Sequence, residues 1–301
     1  MNPILEEIEI LKKEYEGIQQ DNHVLLQYND KFQHIKEENI EELLFSGGAG
    51  AIAFQAGYAH ALIQIVGKER LKEFKLGGVS AGAIIAGLFH FCLHQEKYDM
   101  KFFWENLLRK PFEVKYRKYY GFFTTGDILR WSAYEYFRLA EEINLPTFNG
   151  VLHFVTTTIG RYYMPKKLLI ENIKSPEELG DALESTCNVP FIVKNKFFTS
   201  YKGEKTIDGG FTSNIPYKYE KSQKIFLNVL PKMFYLSRFL QGNPKNVENI
   251  QITQGSNVQF PYDYWVRDEQ WADNMFLKGV LAAKDQEEML LEKFKVKKQQ
   301  K

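Results

Sequence analysis

Short apolar runs and amphipathic stretches alternate along the middle of the chain, and each predicts a different kind of element. Apolar and β-branched residues that follow one another without a helical period predict buried strands. Apolar residues that recur every three or four positions predict helices. The predicted strands are residues 43–45, 74–77, 151–159, 197–200, 205–207 and 224–230, and the predicted helices are 54–65, 83–89, 97–109, 127–142 and 176–187.

Strands that alternate with helices pair mainly in parallel, and such sheets are covered by helices. The pattern therefore predicts an α/β fold for residues 43–230, with a mainly parallel central sheet flanked by helices on both faces.

Residues 1–42 have a different pattern. Their eleven acidic and four basic residues give a net charge of −7, and Ile4, Ile8, Leu11, Tyr15 and Ile18 recur at helical spacing. We expect an acidic, amphipathic helical extension that docks on the central domain. The alternative, a partner-binding or coiled-coil segment, is less favoured because the heptad pattern is short.

The chain changes character again after Pro231. Residues 241–262 are rich in Gly, Pro, Asn and Gln and predict a loop, and residues 270–296 predict a helix before a lysine-rich tail. We expect residues 231–301 to form a helical C-terminal extension that packs on the central domain.

Composition excludes several classes of protein. The 301 residues carry a formal net charge of +1, so no overall charge favours nucleic acid. Cys92 and Cys187 are too few for a disulfide framework and predict reduced thiols in the cytoplasm. No signal peptide or bilayer-spanning run is expected, and nothing in the spacing of the cysteines predicts a metal site.

The most informative short motif is Gly78-Val79-Ser80-Ala81-Gly82, which lies between a predicted strand and a predicted helix. Strand, G-x-S-x-G and helix in this order predict a nucleophile elbow with Ser80 as the nucleophile. Gly78 and Gly82 would leave room for the sharp turn. Taken alone, the motif also fits a small-residue turn that packs a helix on a strand.

A serine nucleophile needs a base, and the positions of the histidines argue against a Ser-Asp-His triad. None of the six histidines follows residue 153. The candidate base is Asp208, which ends a predicted strand and precedes Gly209 and Gly210. The competing interpretation is an ordinary turn aspartate before two glycines.

An acyl-transfer site also needs N–H donors for the oxyanion. The loop Ser46-Gly47-Gly48-Ala49-Gly50 lies between a predicted strand and a predicted helix, where consecutive N–H groups meet a positive helix end. A phosphate-binding loop is the rival interpretation. The loop lacks the Lys-Ser/Thr ending of a P-loop and does not fit G-x-G-x-x-G.

These three motifs, in this order and rough spacing, resemble the patatin-like phospholipases. Phe54-Gln55-Ala56-Gly57, Asn214-Ile215-Pro216 and the helix that ends before Pro190 are also similar to that family, and the resemblance covers about residues 43–230. It implies a Ser80–Asp208 dyad without a catalytic histidine. It also implies an oxyanion hole from the amides of Gly47, Gly48, Ala49 and Gly50, a lipid or phospholipid substrate, and no metal or cofactor.

The glycine-rich loop departs from the family pattern of Gly-Gly-Gly-x-Lys/Arg-Gly. Ala49 occupies the position of the third glycine, Ala51 that of the basic residue and Ile52 that of the last glycine. An alanine that needs a positive φ would strain the loop by about 1 kcal/mol or more.

The function expected from the resemblance is that of a phospholipase A-type lipid acyl hydrolase. The alternatives are a soluble carboxylesterase or thioesterase with the same dyad, and a catalytically silent lipid-binding or interaction module. Residues 109–123 combine five basic residues with aromatic ones, which fits either a peripheral membrane-docking face or a packed connector. The oligomeric state is not predicted.

Overall fold

The protein is described by a computed structural model that covers most of the chain. The described residues are 3–21, 35–113, 125–142, 150–160, 164–194, 196–230, 244–259, 262–265 and 267–296. Side chains in the first helix are described only up to Lys13. Of the segment 109–123, only residues up to Glu113 fall within these ranges.

A mixed, mostly parallel sheet forms the centre of the described structure. Its strands are β1 (Glu41–Phe45), β2 (Lys75–Val79), β3 (Leu152–Ile159), β4 (Pro165–Ile170), β5 (Thr199–Tyr201), β6 (Glu204–Ile207), β7 (Gln223–Asn228) and β8 (Val247–Gln251). The spatial order β3-β2-β1-β7-β8 is parallel throughout, and β4, β6 and β5 add antiparallel pairs around β3. The predicted α/β fold is confirmed.

Helices flank this sheet. They are α1 (Pro3–Asp21), α2 (Ile52–Val66), α3 (Lys68–Leu71), α4 (Ala81–Leu93), α5 (Met100–Phe103), α6 (Thr125–Glu142), α7 (Pro176–Cys187), α8 (Glu269–Asp285) and α9 (Glu287–Lys293). A π-helical turn, Trp104–Leu108, follows α5 directly. Short apolar side chains dominate the faces of α2 and α4 that pack in the core.

The first helix packs on the rest of the chain through its apolar stripe. Ile4 and Ile8 are buried in the core, and α1 contacts α6. The Glu7 carboxylate also lies 2.5 Å from the Lys110 ammonium. The predictions for Tyr15 and Ile18 concern side chains that lie outside the described part.

Helix α2 is long and apolar enough, by length and composition, to cross a membrane when counted from Ala49 to Val66. Two thirds of that window is buried, 67%, and α8 packs along it. A helix buried in a protein core meets the same criteria, and most of α2 is buried in the core here.

Two strands correct the sequence-based description. The stretch 241–262 was predicted as a loop, but it contains β8, which pairs in parallel with β7. The strand β4 was not predicted, and it pairs with Phe154–Ile159 of β3. Both are edge strands with exposed polar side chains, so neither has the apolar run that marks a buried strand.

Candidate active site

Ser80 lies at a sharp turn between β2 and α4. Its backbone has φ 54° and ψ −130°, in a region that non-glycine residues rarely occupy. Such a conformation costs on the order of 1–3 kcal/mol and persists only when its surroundings fix it. The side chain is partly exposed, which leaves the hydroxyl open to a substrate.

The two glycines of the motif are required by close backbone contacts. A Cβ on Gly78 would lie 2.4 Å from the Gly82 carbonyl oxygen, and a Cβ on Gly82 would lie 2.3 Å from the Phe45 carbonyl oxygen. Both distances are far below a normal contact. Ser80 is thus held where the start of α4 packs directly on the end of β1.

Sheet topology brings Asp208 to Ser80. Strand β4 pairs along one edge of β3. Strands β2 and β6 both pair along the other edge, and they run in opposite directions toward each other. Val79 pairs with Val155, and Ile207 pairs with Thr157 two residues further along. The strand ends carrying Ser80 and Asp208 therefore converge from opposite directions.

Asp208 is a buried carboxyl with few hydrogen bonds. Burial raises its pKa to about 6, and the adjacent Ser80 hydroxyl and the Gly210 amide partly counter this. Oδ1 accepts the Gly210 N–H at 2.7 Å, while Oδ2 has no hydrogen-bond partner among the described residues. Ser80 lies beside the carboxyl but makes no hydrogen bond of ordinary geometry with it.

The loop 46–51 lies on the other side of Ser80. A Cβ on Gly47 would lie 3.2 Å from the Ser80 Cβ and 3.8 Å from its Oγ, so this backbone passes beside the hydroxyl. In the described part of the chain, the N–H groups of Gly47 and Gly48 make no hydrogen bond. They are available as donors for a negative oxygen near Ser80.

The same loop is fixed by its neighbours. Gln55 Nε2 donates to the Ser46 carbonyl at 2.8 Å, and the Val229 N–H donates to Ser46 Oγ at 2.9 Å. Val229 follows β7, the strand that lies beside β1 on the side away from β2. The loop therefore occupies the point where strand order reverses, which is where open α/β sheets bind ligands.

Ala49 occupies a strained position in this loop. Its φ is 44°, and its side chain is exposed. The left-handed conformation disfavours alanine by on the order of 1 kcal/mol compared with glycine. The strain anticipated for the substitution of the third family glycine is therefore present.

Sequence reasoning assigned no role to the end of α7, which braces the elbow. Thr186 Oγ1 accepts the Ser80 N–H at 2.9 Å and donates to the Val155 carbonyl at 2.5 Å. Two residues on, the Asn188 carbonyl accepts the Asp208 N–H at 2.9 Å. The stretch ending at Pro190 was noticed in the sequence, but nothing local showed that it joins Ser80 to Asp208.

Cys187 adds a thiol to the same site. It is buried, and burial raises its pKa well above the usual range, as does the Asp208 charge to a lesser degree. Its thiol contacts the Ser80 hydroxyl, which acts in the opposite direction on this pKa. The Cys187 thiol is therefore uncharged near neutral pH and lies beside the Ser80 hydroxyl.

The other groups considered from the sequence lie elsewhere. His60 contacts Gln64, His94 stacks on His90, and His153 bonds the Pro216 carbonyl. His23 and His34 lie outside the described residues. Within the described ranges, no three His, Cys, Asp or Glu side chains are grouped so as to hold a metal ion.

Part of the basic segment 109–123 is also described. Arg109 pairs with Asp273, and Lys110 with Glu7, so these two cations take part in intramolecular ion pairs. The remainder from Val114 onward lies outside the described residues, and membrane contact through it stays a prediction.

The fold and the site define an α/β protein with a serine at a nucleophile elbow and an aspartate beside it. The family model of the patatin-like phospholipases matches residues 43–220, more than half of the chain. The chain belongs to this family, which consists of lipid acyl hydrolases and acyltransferases.

Two individual proteins are also similar. An omega-hydroxyceramide transacylase of Mus musculus is 26% identical over 248 residues, which cover 75% of this chain but only 38% of that protein. A chain of the complex of SpcU with ExoU from Pseudomonas aeruginosa is 11% identical, with a TM-score of 0.36, over 82% of this chain and 52% of its own length. The chain thus spans well under two thirds of each relative.

Proposed function

We propose that this protein is a lipid acyl hydrolase of the phospholipase A type, acting through a Ser80–Asp208 dyad and an acyl-enzyme intermediate. The observation that carries the proposal is the convergence of β2 and β6, which brings the strained serine beside a buried aspartate. Family membership supports a lipid ester as the substrate.

In the proposed first step, Ser80 Oγ attacks the ester carbonyl carbon and its proton passes to Asp208. The carbonyl oxygen becomes an oxyanion, and the free N–H groups of Gly47 and Gly48 stabilise it, with Ala49 and Gly50 as further candidates. The C–O bond then breaks, and the leaving alcohol takes the proton from Asp208. The acyl group remains bonded to Ser80.

In the second step, Asp208 accepts a proton from a water molecule that attacks the acyl-serine. The tetrahedral intermediate collapses, Ser80 regains its proton and the free fatty acid leaves. The Ser80 N–H is already bonded to Thr186, so the oxyanion donors in this proposal come from the glycine-rich loop.

The pKa of Asp208 suits this role. A carboxyl raised to about 6 is mostly ionised near neutral pH, yet is more basic than an exposed aspartate. Burial thus makes the carboxylate a better proton acceptor.

Labelling by a fluorophosphonate probe tests whether Ser80 is the nucleophile. We expect intact protein to be labelled at Ser80 and Ser80→Ala to lose the label. Ser200→Ala changes an exposed serine on β5 and serves as the matched control, which should label like wild type. No labelling at all would favour the silent lipid-binding module, and equal labelling of Ser80→Ala would show that the probe reacts at another residue and that Ser80 is not the nucleophile.

Product analysis separates the remaining alternatives. Phosphatidylcholine vesicles and a soluble short-chain ester are supplied in parallel, and free fatty acid is measured. Release from vesicles supports the phospholipase proposal, whereas turnover of the soluble ester alone favours a carboxylesterase or thioesterase. Since the mouse relative is named a transacylase, an added long-chain alcohol tests whether a hydroxyl replaces water as the acyl acceptor.

A further inference from the structure

Exposed aromatic side chains are concentrated around the candidate active site. In the described part of the chain, the exposed aromatic residues are Phe191, Phe197, Phe211, Tyr262 and Trp265, and each is between 47% and 64% exposed. All of them lie in segments that contact either Asp208 or the glycine-rich loop. A single exposed apolar side chain needs no explanation, but such a concentration marks an interaction surface.

Three of these residues lie beside Asp208. Phe211 is the nearest in sequence, and its N–H donates to the Asp208 carbonyl at 3.3 Å. Asn188 links the other two to the same strand end, because its carbonyl accepts the Asp208 N–H at 2.9 Å and its Nδ2 donates to the Phe197 carbonyl at 3.1 Å. The Phe197 ring packs on that of Phe191, with 5.8 Å between the centroids. These two rings therefore form one continuous apolar surface.

The other two residues lie beside the glycine-rich loop, on the other side of Ser80. A Cβ built on Gly50 would lie 2.8 Å from the backbone of Trp265, so the turn that carries Trp265 runs directly against this loop. Within the turn, the Tyr264 hydroxyl donates to the carbonyl of Val229, whose N–H holds the same loop. Exposed aromatic side chains are thus fixed on both sides of the nucleophile.

Phe191 has an unusual backbone conformation. Its φ is 63°, in the left-handed region that a bulky residue rarely adopts. Glycine or asparagine suits such a position better. The ring is 55% exposed, so packing offsets little of the strain. A residue held in this way points to a function of its side chain rather than to a contribution to stability.

The charges next to these aromatic residues favour an anionic partner. The loop between α7 and β5 contains two lysines and no acidic residue. Lys194 pairs with buried Glu184 at 2.5 Å, whereas Lys196 is exposed and makes no ion pair with the described residues. The ammonium of exposed Lys205 lies 5.8 Å from the centroid of the Phe198 ring. Lys196 and Lys205 therefore place positive charge beside the exposed phenylalanines.

We propose that the five exposed aromatic residues form a membrane-docking surface, the aromatic rim, which places Ser80 against a phospholipid bilayer that contains anionic lipids. Tyr and Trp are enriched at membrane–water interfaces, and lysines are attracted to anionic headgroups. The inference rests on the proposed function, because an ester held in a bilayer must reach Ser80. It is separate from the contact predicted for residues 109–123, since the aromatic rim lies outside that segment.

The test measures binding to vesicles of diether phosphatidylcholine and diether phosphatidylglycerol, which contain no ester to hydrolyse. Cosedimentation gives the partition coefficient. We expect Phe191→Asn to lower it by about fivefold, because the variant removes the exposed half of a phenylalanine. Its melting temperature should be maintained or raised, because asparagine tolerates a positive φ. Loss of binding without loss of stability separates docking from damage to the fold.

Two further variants test the other parts of the surface. Trp265→Gln removes the exposed indole beside the glycine-rich loop and should also lower binding by about fivefold. Lys196→Gln should lower binding to the anionic vesicles by about fivefold at low salt. It should leave binding to vesicles of diether phosphatidylcholine alone unchanged, because these carry no net charge.

Leu281→Gln is the matched control. Leu281 lies on α8 and is 59% exposed, close to the 55% of Phe191. It is separated from the start of α8 at Glu269 by about 18 Å of helix, at ~1.5 Å per residue. Because the variant removes a similar exposed apolar area away from the aromatic rim, its vesicle binding should equal that of wild type.

The proposal is overturned if wild type does not bind the anionic vesicles, if Phe191→Asn and Trp265→Gln bind like wild type, or if Leu281→Gln loses as much binding as they do. It is also overturned if Phe191→Asn changes the mass found by sedimentation equilibrium but not vesicle binding, because the surface would then join copies of this chain. Should Phe191→Asn fail to fold, Trp265→Gln decides.

Hydrolysis assays keep this proposal separate from the proposed function. Ester-linked vesicles and soluble p-nitrophenyl butyrate are supplied to wild type in parallel. If wild type binds vesicles through the aromatic rim but hydrolyses neither substrate, the hydrolase proposal fails and the docking surface is retained. If both substrates are hydrolysed but the variants bind like wild type, the docking surface fails and the hydrolase proposal is retained.

Discussion

Ser80 and Ala49 both hold a side chain in the left-handed region, with φ values of 54° and 44°. At Ser80 the conformation turns the chain from β2 into α4 with the hydroxyl partly exposed, and neighbouring contacts fix it. At Ala49 the methyl group is exposed and gains no packing that offsets the strain. The same backbone cost therefore has a structural use at one residue and none at the other.

Replacing Ala49 with glycine should stabilise the protein. Glycine adopts a positive φ without a Cβ penalty, so we expect the free energy of unfolding to rise by about 0.5–1 kcal/mol. Urea denaturation measures this change. The control is Ala51→Gly, because Ala51 has φ −67° and glycine there should destabilise. A loss of stability in Ala49→Gly would contradict the strain argument.

Asp208→Asn separates the basicity of the carboxyl from its packing. Asparagine can still accept the Gly210 N–H, so the melting temperature should be maintained or raised, since a buried charge is removed. We expect kcat to fall by about 10²–10⁴-fold, the usual contribution of a general base. In wild type, kcat/KM should rise with pH through about 6, as Asp208 ionises.

The matched control is Asp285→Asn, an exposed aspartate at the end of α8, which should leave both quantities unchanged. A wild-type rate in Asp208→Asn would remove Asp208 from the proposed mechanism. A flat pH profile between about pH 5 and 8 would show that its ionisation is not required.

At the scale of elements, the end of α7 connects the two halves of the site. Thr186 fixes the Ser80 backbone, and Asn188 fixes the Asp208 backbone. The helix begins with Ser175, whose hydroxyl accepts the Glu178 N–H, and with Pro176 in its first turn. The helix over residues 176–187 was predicted from the sequence, whereas its hydrogen-bond partners across the sheet were not.

Thr186→Val tests this connection with little change in shape. Valine can neither accept the Ser80 N–H nor donate to Val155, so we expect a loss of about 1–3 kcal/mol in unfolding free energy. The turn should also become less fixed, so kcat should fall more than KM changes. Thr186→Ser keeps the hydroxyl and should restore both. Equal kinetics in the valine and serine variants would refute a positioning role.

Local signals explain which parts of the fold and site could be predicted. Ser80, Asp208 and the glycine-rich loop each lie in a short motif at a strand end. The strand from Leu152 to Ile159 was evident from its β-branched run. Strand β8 and the contact from Thr186 to Ser80 were missed, because an exposed edge strand lacks an apolar run and a hydrogen bond across 106 positions leaves no local pattern.

At the scale of the whole molecule, charged and polar groups are buried at both ends of the sheet. Ser80 and Asp208 lie at the carboxyl ends of their strands. Near the opposite end, buried Glu42 accepts the Lys218 N–H at 2.8 Å and a hydroxyl hydrogen bond from Ser222. His153 lies 3.9 Å from the same carboxylate and bonds the Pro216 carbonyl. This second cluster ties the chain that follows Asp208 back to the sheet.

Buried histidines should make the protein sensitive to acid. Burial lowers the pKa values of His90 and His153 to about 3, so in both cases the folded form stays neutral where the unfolded chain binds protons. The unfolded chain therefore binds more protons between about pH 6.5 and 3, and stability falls as the pH falls through that window. The pKa of Asp208 is raised to about 6, so this group has the opposite effect on stability as the pH falls, but over a narrower pH range.

Buried Glu42, whose pKa is also raised by burial, opposes the histidines in the same way as Asp208. We expect the two histidines to dominate and the protein to lose stability as the pH falls from about 7 to about 4. Urea denaturation between about pH 7 and pH 4 measures it. His153→Gln can still donate to Pro216 but does not titrate, so its stability should depend less steeply on pH. If wild type and His153→Gln lose stability in parallel, His153 is not a source of the acid sensitivity. Burying its neutral ring would then not lower the free energy of unfolding as the pH falls.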